Sequence, residues 1–208
     1  MYTTPKLPNR YLCFDTEFTQ LKKDTTLISV GISDTESMEK FYAECTDYDR
    51  RSIDEWIEKN VIANLGNPVA DDCPYDMHVT YVTGTRREVM YSLLAWLSKI
   101  SKIGNPFNHF QFVSDVCHYD FVLLVDLLTN GGTAMELQSN IVPYCIDLNY
   151  AISFYKNITH EEAFNYSREQ LLNEFGDPID AYIRMNKHNA LYDAEVIKAL
   201  FMHMLNCI

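Results

Sequence analysis

The stretch Tyr11-Leu12-Cys13-Phe14-Asp15-Thr16-Glu17-Phe18 decides how this chain is read. Its run of apolar residues marks a strand buried on both faces, as in sheets covered by helices on either side. Two acids follow at i and i+2, positions that face the same way on a strand. Asp15 and Glu17 are therefore expected to point together into a crevice at the carboxyl end of a sheet, where α/β proteins place their ligands. The tripeptide D-x-E is weak alone, and it recurs at Asp34-Thr35-Glu36 and Asp193-Ala194-Glu195. The first of these reads as a solvated turn between strands. The second is helical, so its acids diverge by about 200°.

Near the other end stands His188-Asn189-Ala190-Leu191-Tyr192-Asp193. A helix would set His188 and Asp193 about 140° apart. They work together only if His188 lies on a loop ahead of an Asn189 N-cap and Asp193 faces inward from the first turn. A loop histidine of this kind suits a general base. A third element is Tyr119-Asp120, opening a helix after the strand Phe110–Val113, with Asp115 and Asp126 competing for its place. Asp115 sits at a strand end, Asp126 reads as a solvated mid-helix residue, and His118 as a loop residue without chemistry. Carboxylates gathered without metal repel one another and raise their pKa values. Two divalent ions about 3.5–4 Å apart relieve that repulsion and serve phosphodiester hydrolysis. Oxygen ligands with no cysteine favour magnesium or manganese over zinc.

Composition sets the frame. With 208 residues, 47% of them hydrophobic, the chain can bury one substantial core. We expect a single domain over 1–208, with 46–84 an insertion or excursion. The six cysteines (13, 45, 73, 117, 145, 207) lack the C-x-x-C spacing of zinc sites. Without a recognisable signal peptide or membrane span, a reduced, cytoplasmic setting is expected. The net charge is −12, from 17 basic and 29 acidic residues, and still −8 with four candidate metal ligands set aside. That balance speaks against a protein gripping long duplexes through a basic footprint. It suits one that holds a chain end through few phosphates, with Lys22, Lys23, Arg184 and Lys187 as local positive charges.

Strands are expected at 10–15, 26–33, 38–45, 78–83, 110–113 and 141–146. Helices are expected at 52–64, with Trp56 on the buried stripe, at 85–100, 119–129 and 148–156. A further helix should run from the Thr159-His160-Glu161-Glu162 capping box to Phe175, and a last one over 190–205. Pro68 and Pro74 mark a loop.

In this order, Asp15-x-Glu17, Tyr119-Asp120 and His188-x-x-x-x-Asp193 resemble the motifs of the His-bearing DEDD (DEDDh) 3′→5′ exonucleases. The phrases Phe14-Asp15-Thr16-Glu17-Phe18, Leu27-Ile28-Ser29-Val30-Gly31, Ile146-Asp147-Leu148 and His188-Asn189-Ala190-Leu191 are similar to RNase AS-like exoribonucleases. RNase T and oligoribonuclease are more distant. The resemblance implies an RNase H-like fold with a mixed five-stranded sheet flanked by helices. It implies two magnesium or manganese ions held by Asp15, Glu17, Asp120 and Asp193, a water activated by His188, and Phe18 or Thr19 against the terminal nucleotide. It further implies release of 5′-mononucleotides from the 3′ ends of single-stranded or short RNA, and a homodimer. Nothing in the sequence reads a 2′-hydroxyl, so a DNA exonuclease of the same fold is the alternative. A non-catalytic nucleic-acid-binding module is another.

Overall fold

A computed structural model describes residues 9–67, 78–103, 109–176 and 187–205. The strands are β1 (Asn9–Phe18), β2 (Leu27–Asp34), β3 (Lys40–Cys45), β4 (Val79–Gly84), β5 (His109–Ser114) and β6 (Ile146–Asp147). They form one mixed sheet in the order β4-β3-β2-β1-β5-β6. β2 is antiparallel to both β1 and β3, while the remaining pairs are parallel. This arrangement puts the carboxyl ends of five strands, and the amino end of β2, on one edge.

The helices are α1 (Glu55–Asn60), α2 (Arg86–Ile100), α3 (Cys117–Thr129), α4 (Leu148–Lys156), α5 (His160–Phe164), α6 (Arg168–Phe175) and α7 (Ala190–Leu205). The two faces of β1 divide them. Leu12 and Phe14 pack into a core with Val89, Leu93 and Trp96 of α2 and Leu124 of α3. Cys13 packs on the opposite face with Ile152 of α4, Leu171 of α6 and Ile197 and Leu200 of α7. Leu12, Cys13 and Phe14 are fully buried, as the unbroken apolar run requires. Each large apolar side chain so covered contributes about 1.5–3 kcal/mol. By the same alternation Asp15 and Glu17 share the face of Cys13 and α7.

Helix ends follow local chemistry. Thr85 and Glu88 form a reciprocal capping box at α2. Asn130 and Gly176 end α3 and α6 in the left-handed conformation. The Asn189 carboxamide oxygen accepts from the N–H of Leu191 at 3.1 Å and of Tyr192 at 3.3 Å, making it the expected N-cap of α7.

Several expectations are corrected. The sheet has six strands, not five, because 79–84 joins it at the edge beside β3. The helix expected at 52–64 is only 6 residues long, started by the Asp54 cap, and Trp56 is 54% exposed rather than buried. Of the strand expected at 141–146, only a bridge at Ile141 and the short β6 pair with β5. The helix from Thr159 to Phe175 breaks in two, because Ser167 caps a new start. His118 lies in the first turn of α3. Asp34 is buried, not a solvated turn residue; its carboxylate accepts a bidentate pair from Arg10, whose Nη1 also donates to the carbonyls of Ile100 and Ile103 at 2.6 Å each. That guanidinium ties β1 and β2 to the carboxyl end of α2, where positive charge is favoured. Arg184, Cys73, Cys207 and the Pro68–Pro74 loop lie outside the described residues.

Candidate functional site

Asp15 and Glu17 stand at the top of β1, on the carboxyl edge, in a cleft of about 690 Å³ that Asp115, Asp120, His188 and Asp193 also line. Each element delivers its acid for a local reason. Asp115 directly follows β5, and Asp120 belongs to the first turn of α3. There a carboxylate is stabilised by the unpaired N–H groups of the helix start. Asp193 occupies the same place in α7.

Two subgroups result. Oxygens of Asp15, Asp115 and Asp120 lie within 4.8 Å of one another, as do donor atoms of Glu17, His188 and Asp193. In the first, Asp120 is almost fully buried, and Thr16 donates to its Oδ1 at 2.7 Å while Ser114 donates to Oδ2. Arg168 donates from Nε to Asp115 at 2.9 Å; its other nitrogens are taken by Asn149 and the carbonyls of Ala163 and Tyr166. In the second, the His188 backbone N–H donates to Asp193 at 2.8 Å, and its Nδ1 stands 3.9 Å from Glu17 Oε1. The Trp56 ring meets the His188 ring edge-on at 5.0 Å between centroids.

The electrostatics are those of crowded acids. Burial, then the charges of Asp120 and Asp193, hold Asp15 well above the usual carboxylate range. Burial and Asp193 do the same to Glu17. Burial pushes Asp120 up to about 7 despite its hydroxyl donors, and Asp193 up to about 7 despite the His188 N–H. Burial also lowers His188, so its imidazole is neutral at physiological pH. The donor set fits hard divalent ions: oxygens from acids that resist ionising together, with one imidazole beside them.

A single row across the sheet brings α7 in. Asp15 pairs with Gly31 on β2, Gly31 with Tyr42 on β3, and Tyr42 with Tyr81 on β4. A Cβ on Gly31 would collide with the Ala190 carbonyl and the Leu191 nitrogen. Glycine therefore lets α7 begin in contact with the strand beside Asp15. Next in the row, the Tyr42 hydroxyl accepts from Asn189 Nδ2 at 3.2 Å. Asn189 also donates to the Asn64 carbonyl at 3.1 Å, and Asn64 Nδ2 donates to the Lys187 carbonyl at 2.9 Å. These bonds hold His188 in a left-handed conformation with φ 66°, one that a non-glycine residue adopts only when its surroundings fix it.

The structure thus brings Asp15, Glu17, Asp120, Asp193, His188 and Phe18 to one cleft. Asp115 joins them, so both candidates for the middle position are present, while Asp126 instead pairs with Arg86. Lys187 lines the cleft and sits 3.5 Å from Glu169. Thr19 is not in the cleft. It is buried, and its hydroxyl accepts from the Thr26 N–H at 3.0 Å, bracing the loop after β1. Phe18 stacks on Tyr119 at 5.4 Å. Beside it an apolar hollow of about 340 Å³ is lined by Leu21, Trp56 and Ile57. Sequence reading missed Trp56 and Arg168 as neighbours of the site. The signal for Trp56 was its place in a short segment with acids on both sides; for Arg168 there was none.

No family model matches the sequence, and no curated protein matches it. Solved structures share its fold. One is a 3′-exonuclease described in "3'-end specific recognition of histone mRNA stem-loop by 3'-exonuclease"; it is 12% identical with a TM-score of 0.62, over 96% of this chain and 64% of that one. This chain therefore spans less than two thirds of that protein's length. Another is a chain from "Structure of yeast NOT1 MIF4G domain co-crystallized with CAF1", 14% identical with a TM-score of 0.54, over 95% of this chain and 79% of that one. The fold is one that a 3′-exonuclease uses. Among the described residues no helix is long and apolar enough to cross a membrane.

Proposed function

We propose that this chain is a metal-dependent 3′→5′ exonuclease that removes 5′-mononucleotides from the 3′ ends of single-stranded or short RNA. The observation that carries the reading is the convergence of acids from β1, the β5 end, α3 and α7, with one histidine, in a single open cleft. Asp15, Glu17, Asp120 and Asp193 would hold two magnesium or manganese ions. When bound, such ions supply positive charge to the scissile phosphate and acidify the attacking water.

The chain's own groups divide the remaining work. Neutral His188 accepts the proton of the attacking water, aimed by its bond to Asp193 and confined by Trp56. Asp120 is favoured over Asp115 as the middle ligand. Hydroxyl donors fix Asp120 in place and leave it lone pairs to spare, whereas Arg168 neutralises Asp115. Phe18, with its ring already stacked, offers a face to the terminal base, and the Leu21–Trp56 hollow offers an apolar wall beside it.

The test is product analysis on matched RNA and DNA oligomers labelled at either end, with manganese added or chelated. Mononucleotide release from 3′ ends only with metal is expected, faster on RNA. Intact 3′ ends under all conditions would defeat the reading, and equal rates on both polymers would defeat its RNA part.

A further inference from the structure

The net charge of −12 leaves open how the chain holds a polyanion beyond its last nucleotides. The carboxyl edge of the sheet supplies an answer on the side away from β5. Three loops meet there: 19–26 between β1 and β2, 46–54 after β3, and the start of α2 after β4. They are tied together, since the Asp49 N–H donates to the Thr26 hydroxyl at 2.9 Å and the Arg86 N–H to Asp47 at 2.8 Å. A cavity of about 370 Å³ opens between them.

Several positive charges there are unpaired, as are Lys59, Lys102 and Lys198 elsewhere among the described residues. Elsewhere, Arg10, Lys40, Lys99, Lys156, Arg168 and Lys187 are each matched to a carboxylate. In this sector Lys22, Lys23, Arg50 and Arg87 make no ion pair among the described residues and are exposed, while Arg51 is taken by Asp49, Asp54 caps α1 and Asp24 is exposed beside the two lysines. Arg50 lies over the Tyr48 ring and Arg87 over the Tyr91 ring, both at 5.7 Å, so each guanidinium is presented on an aromatic platform. The two carboxylates that line the cavity, Asp47 and Asp126, are both engaged by Arg86. The sector is also continuous with the site: Phe18 and Leu21 line the carboxylate cleft, and the loop they enter carries Lys22 and Lys23. From β1 to β4 the edge spans three strand spacings, about 14 Å, room for several nucleotides.

We infer that this basic, tyrosine-backed edge is a track for the single-stranded nucleic acid upstream of the 3′ end, bound through its phosphates without regard to sequence. The inference rests on the nuclease reading for its direction, but its binding surface is testable apart from it. A track of phosphate contacts predicts a length-dependent affinity that falls steeply with salt, by a log–log slope of about 0.7 per phosphate neutralised.

The experiment compares the full chain with the variant Lys22→Ala/Lys23→Ala/Arg50→Ala/Arg87→Ala. Binding of a fluorescent single strand of about 12 nucleotides is measured by anisotropy in an Asp15→Asn background, where turnover is stopped, across a salt series. Manganese-dependent hydrolysis of a dinucleotide is measured without the background substitution. Affinity for the long strand should fall at least about tenfold and the salt slope should shrink by about 2–3, with dinucleotide hydrolysis unchanged. The charge-preserving variant Lys22→Arg/Lys23→Arg/Arg50→Lys/Arg87→Lys should bind like the parent. Long-strand affinity that is unchanged in the alanine variant, or lost equally in the charge-preserving one, overturns the track. A parent that does not cleave the dinucleotide, in a chain that binds the long strand through these residues, would overturn the nuclease reading and leave the track standing.

Discussion

The two subgroups of acids in the cleft are built on opposite principles. Asp15, Asp115 and Asp120 sit on strand ends and a helix start that the sheet already fixes, and hydroxyls or a guanidinium meet Asp115 and Asp120. In the other subgroup Glu17 is fixed by β1, but His188 and Asp193 depend on a left-handed turn, one backbone N–H and the edge of an exposed tryptophan. The first subgroup is a cradle anchored in the sheet; in the second, two of the three donors come from the start of α7. A site that binds ions firmly yet lets a base meet a transient water needs both kinds of support.

The comparison breaks most sharply at Asp15, which belongs to the first subgroup and feels the charges of Asp120, Asp193, Glu17 and Asp115 together. Asp15→Asn should lower kcat by about 10⁴-fold or more, since it removes a ligand whose ion supplies several kcal/mol of charge stabilisation. Single-turnover assays with saturating manganese check this, and residual turnover within tenfold of the parent would refute the cradle. His188→Ala probes the second subgroup. Its kcat should fall by about 10²–10⁴-fold with little change in manganese affinity; titration calorimetry separates the two, and a large loss of metal binding would make His188 a ligand rather than a base. Within the first subgroup, Asp115→Asn should cost less than about tenfold in kcat, or 1.4 kcal/mol, because Arg168 already holds its charge. A loss matching that of Asp120→Asn would reverse the assignment of the middle ligand.

Gly31→Ala strikes at the support of the second subgroup alone. It should cost about 1–3 kcal/mol by overpacking, read from urea melts, and lower activity with the first subgroup intact. An unperturbed variant would mean α7 can shift without consequence. The last effect is on pH dependence. Asp120 and Asp193 are held at about 7 in the folded protein, against 3.8 for an ordinary aspartate in water. The folded form therefore binds more protons than the unfolded chain between about pH 4 and pH 7, and metal-free stability falls as pH rises through that window. Tm should be lower at about pH 8 than at about pH 5, with the slope reduced in Asp193→Asn and manganese restoring most at the higher pH. A metal-free Tm whose slope is the same in the parent and in Asp193→Asn would contradict the shift at that residue.

The strand under Asp15 and Glu17 was legible because an apolar run has only one good use in a covered sheet. The Asn189 cap and the end of α3 at Asn130 were legible because caps are local chemistry. What escaped was set by distant partners. Asp34 looks like a turn residue until Arg10 is placed beside it, and Trp56 looks like core until its helix proves too short to turn it inward. Thr19, adjacent to Phe18, is spent on its own loop rather than on the cleft. A strand was expected at 78–83, where β4 lies, but its place at the sheet edge was not legible, because its partner β3 stands across the excursion.

Asp15 and Asp193 are separated by 178 positions, 193 less 15, and meet only where Gly31 leaves room for a helix to land. Closing so long a loop costs chain entropy before the contact repays it. A half-folded copy with every strand of the sheet in register would still lack His188 and Asp193 and could not cut anything. Under the proposed function the fold is its own safety catch: destructive power is withheld from nascent and misfolded chains until the closing helix has docked.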